Sequence, residues 1–225
     1  MAKFTQHWAS DYDERIIRLI PGYGTLHEIA SCVLAAQLQG VAGEIDVLVA
    51  GAGTGRELDD LAARDPQWRF TAVDSSQPML DNAHARATAG NYIDRAAFHA
   101  MDLQAYRTQT PHAAALAILV MHFLADDDAR LVFLRTLAQA LRPGAPLLLF
   151  DYAGDVQVFH AAYRQWAYAR GLDEEAVKTM FQRLSANFHP ISEPELAALL
   201  SEADFGTPTR FFQALGYSAY VTRRN

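Results

Sequence analysis

At 225 residues, 51% of them apolar and 20% charged, the chain is long enough for one substantial core and too short for two ordinary domains of generous size. A net charge of −7 with scattered Lys and Arg argues against the concentrated basic surface that nucleic-acid binders use, and one cysteine, Cys32, leaves nothing for an internal disulfide or a cysteine-held zinc. The opening residues, MAKFTQHWASDYDERIIRLIPGY, have no basic-then-apolar leader pattern, and no stretch approaches the roughly 20 apolar residues of a membrane span. A soluble, cytoplasmic protein without membrane, nucleic-acid or metal partners is expected.

In chain order, residues 13–38 carry apolar positions at helical spacing, interrupted at Pro21 and Gly22, which predicts a short helix, a break and a longer helix. Apolar runs bounded by turn residues then predict strands at 45–50, 69–73, 96–101, 114–120 and 146–151. Helical patterns lie between them at 55–64, 77–88 and 127–141, the last stopped by Pro143 and Gly144. Strand and helix alternating at this rhythm imply parallel crossovers with helices on both faces of one sheet.

The stretch VLVAGAGTGREL, residues 47–58, runs a strand straight into Gly51, Gly53 and Gly55 and then into helix formers. Glycine permits a sharp turn and close approach of a ligand to the backbone, while the next helix offers free N–H groups. Asp74, which ends the second strand 23 positions after Gly51, is placed to accept hydrogen bonds from both hydroxyls of a ribose. A tight strand-to-helix turn with no ligand is the plainer reading of three glycines, and the pairing with Asp74 weakens it. The spacing also differs from the Gly-x-Gly-x-x-Gly fingerprint of dinucleotide folds, which disfavours NAD.

With VLVAGAGTG, FTAVDSSQPML, AFHAMDLQ, AILVMHFLADDDARLVFLRTLAQALRPGAPLLLFD and the ending LLSEADFGTPTRFFQALGYSAYVTRRN, the chain resembles the class I S-adenosylmethionine-dependent methyltransferases over essentially its whole length. That resemblance implies an α/β, Rossmann-like, doubly wound and mostly parallel sheet with a C-terminal antiparallel hairpin, and S-adenosyl-L-methionine as cofactor. It also implies Ala50, Gly51, Ala52, Gly53 and Gly55 along the methionine moiety and Asp74 on the ribose. Ser75 and Met79 would lie against ribose and adenine, Asp102 and Leu103 around the adenine amino group, and Val120 nearby. For Met79 and Asp102 the plainer readings are a core methionine and a loop cap. The chain departs from the pattern at Ala50, where many members carry an acid, at PGAP after the fifth helical pattern, and at EADFG.

The segment DYDERIIRLIPGYGTLHEIASCVLAAQL is similar to the N-terminal cap of carboxy-S-adenosylmethionine synthases and of related small-molecule methyltransferases. One domain, 1–225, is therefore expected, with a helical cap at 1–40 and a substrate-side insertion at 152–190. The cap offers Tyr12, Arg18, Tyr23 and His27: arginine can pair with a carboxylate, and a tyrosine face can receive a sulfonium. His122, after the fourth strand, and Tyr23, fixed beside Pro21 and Gly22, are the candidate catalytic residues; the plainer readings are a packing histidine at 122 and a solvated helix residue at Arg18. Tyr152, Phe159, Tyr163, Trp166 and Tyr168 make the insertion rich in aromatics. Methylation of a small molecule is the leading expectation. Chemistry on the cofactor itself (cyclisation to an azetidine amino acid with loss of methylthioadenosine, or carboxyl transfer to the methyl carbon) and a non-catalytic partner subunit stay open, as does a homodimer.

Overall fold

The computed structural model describes residues 11–153 and 156–225, so the first ten residues of the expected cap and two of the expected insertion lie outside it. Seven strands, β1 (Asp46–Ala50), β2 (Arg69–Asp74), β3 (Ala96–Ala100), β4 (Ala114–Ile118), β5 (Pro146–Tyr152), β6 (Thr209–Ala214) and β7 (Tyr217–Arg223), form one sheet in the order β3-β2-β1-β4-β5-β7-β6. The first five are parallel. β7 runs antiparallel to β5, in register from Pro146 opposite Arg223 to Tyr152 opposite Tyr217, and β6 pairs antiparallel with β7 alone. The described helices are α1 (Tyr12–Leu19), α2 (Tyr23–Gln37), α3 (Arg56–Ala62), α4 (Gln77–Ala89), α5 (Asp127–Ala140), α6 (His160–Ala169), α7 (Glu174–Asn187) and α8 (Glu193–Glu202). None is long and apolar enough to cross a membrane.

The central strands read as unbroken apolar runs because both of their faces are covered. Side chains alternate along a strand, and β1 obeys this: Val47 and Val49 enter a core with Leu26, Leu34, Leu58 and Leu61 of α2 and α3. Leu48 and Ala50 enter a second core with Leu134 and Leu137 of α5 and Leu196 and Leu200 of α8. Helix starts are set by local chemistry. Asp126 accepts from the Ala129 N–H to open α5, and Ser192 with Glu195 forms a reciprocal capping box at α8.

The expected elements are present, with one instructive shift. β4 ends at Ile118 rather than at 120, because Leu119 adopts a φ of 60° and turns the chain out of the sheet. Its N–H still reaches the Phe150 carbonyl at 2.7 Å. The insertion contains α6 and α7, so its aromatics do not share one surface: Tyr152 and Tyr163 are buried, whereas Tyr168 is exposed. After β1 the chain moves outward to β2 and β3 and then crosses back to β4, so β1 and β4 flank the point where strand order reverses. Open α/β sheets bind their ligands at the carboxyl ends of the strands beside such a point.

Candidate functional site

The loop at 51–55 leaves β1 at that reversal point. The N–H groups of Gly51 and Ala52 both donate to the Val73 carbonyl, at 2.8 and 3.2 Å, which ties the loop to β2. Gly51 has a φ of 71°, and a Cβ there would stand 2.4 Å from Cγ2 of Val120. Gly55, with a φ of 75°, would place a Cβ 2.9 Å from that of Ala83 on α4. Both positions therefore need glycine for conformation and for close approach. Asp74 braces the loop from the next strand: its carboxylate accepts from the Gly53 N–H at 2.9 Å and from the Ser76 N–H at 2.8 Å. Burial raises its pKa, while those two N–H groups pull it down. A carboxylate has about four lone-pair directions, so accepting capacity remains beyond these two bonds.

Helices α1 and α2 roof the loop. A cavity of about 20 Å³ lies between Tyr12, Tyr23, Glu57, Ile118, Leu119 and the loop itself. That volume suits a single water molecule. α1 is fastened on both sides. Asp13 accepts from the Thr54 hydroxyl at 2.7 Å and pairs with Arg86 of α4, which also pairs with Asp59 at 2.6 Å. At its other end, the carbonyls of Arg18 and Leu19 accept from Trp166 Nε1 at 3.2 Å and from the Tyr163 hydroxyl at 2.5 Å, both on α6. Cap and insertion thus meet over the carboxyl edge of the sheet.

Burial decides the ionisation of this roof. It raises the phenols of Tyr12 and Tyr23, so both stay protonated near neutral pH. It pushes Glu57 up to about 8 and His27 down to about 3. His27 meets Tyr23 edge-on at 4.4 Å, and neither of its ring nitrogens has a hydrogen-bond partner among the described residues. Tyr12, Tyr23 and Glu57 therefore face the cavity as polar, uncharged groups at pH 7.

Of the residues expected at the site, Tyr12, Tyr23, Gly51, Ala52 and Gly53 line one cavity. Ala50 is the buried end of β1, and Val120 stands against Gly51. The Met79 methyl carbon lies 3.5 Å from where a Cβ on Gly53 would be. Ser75 is exposed in the turn after Asp74, Asp102 is exposed after β3, and Leu103 is buried with Val73 and Ala50. Arg18 is not brought to the cavity; its side chain is on the exposed side of α1. His122 does not line it either. Its Nδ1 pairs with Asp151, its ring lies 4.1 and 4.0 Å from those of Phe123 and Phe188, and its buried Nε2 has no partner among the described residues. Sequence reasoning missed Asp13, Glu57 and Asp151. The first two look like ordinary acids in the first turn of a helix, which their dipole favours anyway; only the tertiary fold turns them inward.

Residues 47–144 match a family model described as a methyltransferase domain. The chain is 24% identical, over 97% of its own length and 90% of the relative's, to a carboxy-S-adenosyl-L-methionine synthase from Desulfotalea psychrophila. Among solved structures it superposes on a Nostoc punctiforme PCC 73102 protein assigned as an O-methyltransferase with a TM-score of 0.69 and 15% identity, covering 97% of this chain. It covers 60% of that protein, so the chain spans less than two thirds of that structure's length. It superposes likewise on the magnesium protoporphyrin IX methyltransferase of Synechocystis PCC 6803 with bound SAH, with a TM-score of 0.65 and 14% identity over 91% of this chain and 84% of the other. By its sheet order and glycine loop the chain has the fold of the class I S-adenosylmethionine-dependent methyltransferases, and its residues 47–144 match their methyltransferase domain.

Proposed function

We propose that the protein uses S-adenosylmethionine to methylate a small molecule enclosed beneath its helical roof. The observation that carries this reading is the pair of hydrogen bonds from Tyr163 and Trp166 to the carbonyls of Leu19 and Arg18. They join cap and insertion beside the glycine loop, a covering that favours a small acceptor over a macromolecular one. The cleft fits the cofactor on its own residues: a loop whose glycines leave no room for side chains, and a braced carboxylate with spare lone pairs at Asp74. Bound there, S-adenosylmethionine supplies a methyl group on a sulfonium, an electrophile with its own leaving group.

The chain's part is then to bind, align and exclude water. Tyr12 and Tyr23 present neutral rings that can face a cation, and their raised phenols act as hydrogen-bond donors rather than bases. We assign His122 with Asp151 to positioning the strand ends, because aromatic rings enclose the imidazole. Asp74→Ala is expected to weaken S-adenosylmethionine binding by about 1 to 3 kcal/mol, the range for a buried polar group losing its charged partner. Titration calorimetry on the folded variant checks it, and an unchanged Kd contradicts the ribose role.

A second reading is chemistry on the cofactor, and the near full-length relative named a carboxy-S-adenosyl-L-methionine synthase favours it. Products separate the two. Incubation with S-adenosylmethionine and a metabolite extract, followed by mass spectrometry, is expected to give S-adenosylhomocysteine together with a methylated small molecule. Carboxylated cofactor, or methylthioadenosine formed without any acceptor, decides against methyl transfer.

A further inference from the structure

We infer that Glu57 receives the α-ammonium group at the amino-acid end of the cofactor. This deepens the reading above and rests on it. An amino acid entering a closed pocket brings an ammonium whose desolvation must be offset by an acceptor, preferably an anionic one. β1 supplies none, since residues 47–50 are all apolar and buried. The loop at 51–55 carries no charge either. Asp74 is not among the cavity-lining residues. Among the described residues that line the cavity, Glu57 is the single carboxylic acid.

Glu57 is 7% exposed, and no cation has claimed it. Arg56, beside it on α3, pairs with Asp59 and Asp60 at 3.9 and 3.4 Å, while Arg86 pairs with Asp13 and Asp59. The charged and titratable groups that act on Glu57 are Tyr12 and Asp13 of α1, Tyr23 of α2, Arg56 of its own helix, Arg86 of α4 and Tyr92 just beyond α4. Burial outweighs them all and holds the carboxyl protonated up to about pH 8. An arriving ammonium supplies the counter-charge that Glu57 lacks, so the carboxyl gives its proton to solvent and becomes the anionic partner. The linkage has a definite sign. Because the free site is protonated below about 8 and the bound site is not, affinity rises with pH up to that value. Above it the gain ends, and loss of the ligand's own proton lowers affinity.

Isothermal titration calorimetry of the full chain at about pH 6.5, where an α-amino group is still protonated, tests this with two ligands. S-adenosylhomocysteine has the amino-acid end, and methylthioadenosine lacks it. In buffers of different ionisation enthalpy, S-adenosylhomocysteine should release about one proton and gain up to about tenfold in affinity per pH unit below 8, whereas methylthioadenosine should show neither effect. Glu57→Gln should bind S-adenosylhomocysteine at least about tenfold more weakly, the order expected for losing a hydrogen bond to a charged group. It should keep the wild-type Kd for methylthioadenosine and lose the proton release. The wild-type proton count stands even if the variant folds poorly. Binding of both ligands by the wild-type protein without a difference in protons overturns the role of Glu57 and leaves the cofactor assignment standing. Failure of the wild-type protein to bind either ligand overturns the cofactor assignment and this inference with it.

Discussion

Asp151→Ala is expected to lower the thermal unfolding midpoint by roughly 10 °C. The Asp151 carboxylate, at the carboxyl end of β5, accepts from the backbone N–H groups of Met121 at 2.7 Å, His122 at 3.1 Å and Tyr152 at 2.9 Å, and from the His122 ring. All four bonds are buried. Alanine leaves three backbone donors and an imidazole without an acceptor, in a place where water must open a path to replace it. Each orphaned donor costs about 1 to 3 kcal/mol, and partial relaxation brings the sum to about 3 to 5 kcal/mol. At about 2 to 4 °C per kcal/mol for a chain of this size, the shift is near 10 °C. Asp151→Asn should fall between, since it keeps one acceptor oxygen but turns an NH₂ toward N–H groups. A change of under about 2 °C for the alanine variant in a calorimetric scan is incompatible with this buried network.

Gly51→Ala is expected to cost at least about 3 kcal/mol of stability and to reduce cofactor affinity more than about 100-fold. Two penalties add. The backbone φ of 71° is left-handed, which costs an alanine about 1 to 2 kcal/mol. The new Cβ also falls 2.4 Å from Cγ2 of Val120, and a β-branched valine has few rotamers with which to retreat. Val120 immediately precedes the turn that carries His122, so relief of the clash shifts the floor of the cleft. The double variant Gly51→Ala, Val120→Ala separates the penalties: it removes the colliding methyl but not the strained φ, and should recover roughly half of the lost stability. Recovery of nothing in chemical denaturation argues that backbone strain alone governs the position.

The five parallel strands were legible in the sequence because their signal is local, whereas the C-terminal hairpin was implied only by the family resemblance. Apolar runs at β1, β4 and β5 and glycines at 51, 53 and 55 carry their meaning within a few residues. The end of β4 was not legible, because Leu119 has no preference for the left-handed region and is held there by a bond to Phe150, thirty-one residues on. The same holds for the site. Tyr23 could be singled out as the aromatic beside a Pro-Gly break, whereas for Arg18 the sequence left a carboxylate partner and a solvated helix position equally open. Asp13 and Glu57 looked like solvated helix starts. Their inward direction follows from where α1 and α3 pack, and no local pattern encodes that.

The position of β6 orders events while the chain is being made. β6 touches the sheet only through β7, a strand that follows it in sequence. The parallel half, from β3 across to β5, can therefore assemble as it is synthesised, with the glycine loop already seated between β1 and β2. Residues 209–214 must meanwhile wait, unpaired, until residues 217–223 have been added and have docked on β5. In that interval the free edge of β5 and the waiting strand both offer open hydrogen-bonding groups to other chains. The hazard of mispairing in this fold thus falls after β5 has been made, on the side of the sheet away from Asp74.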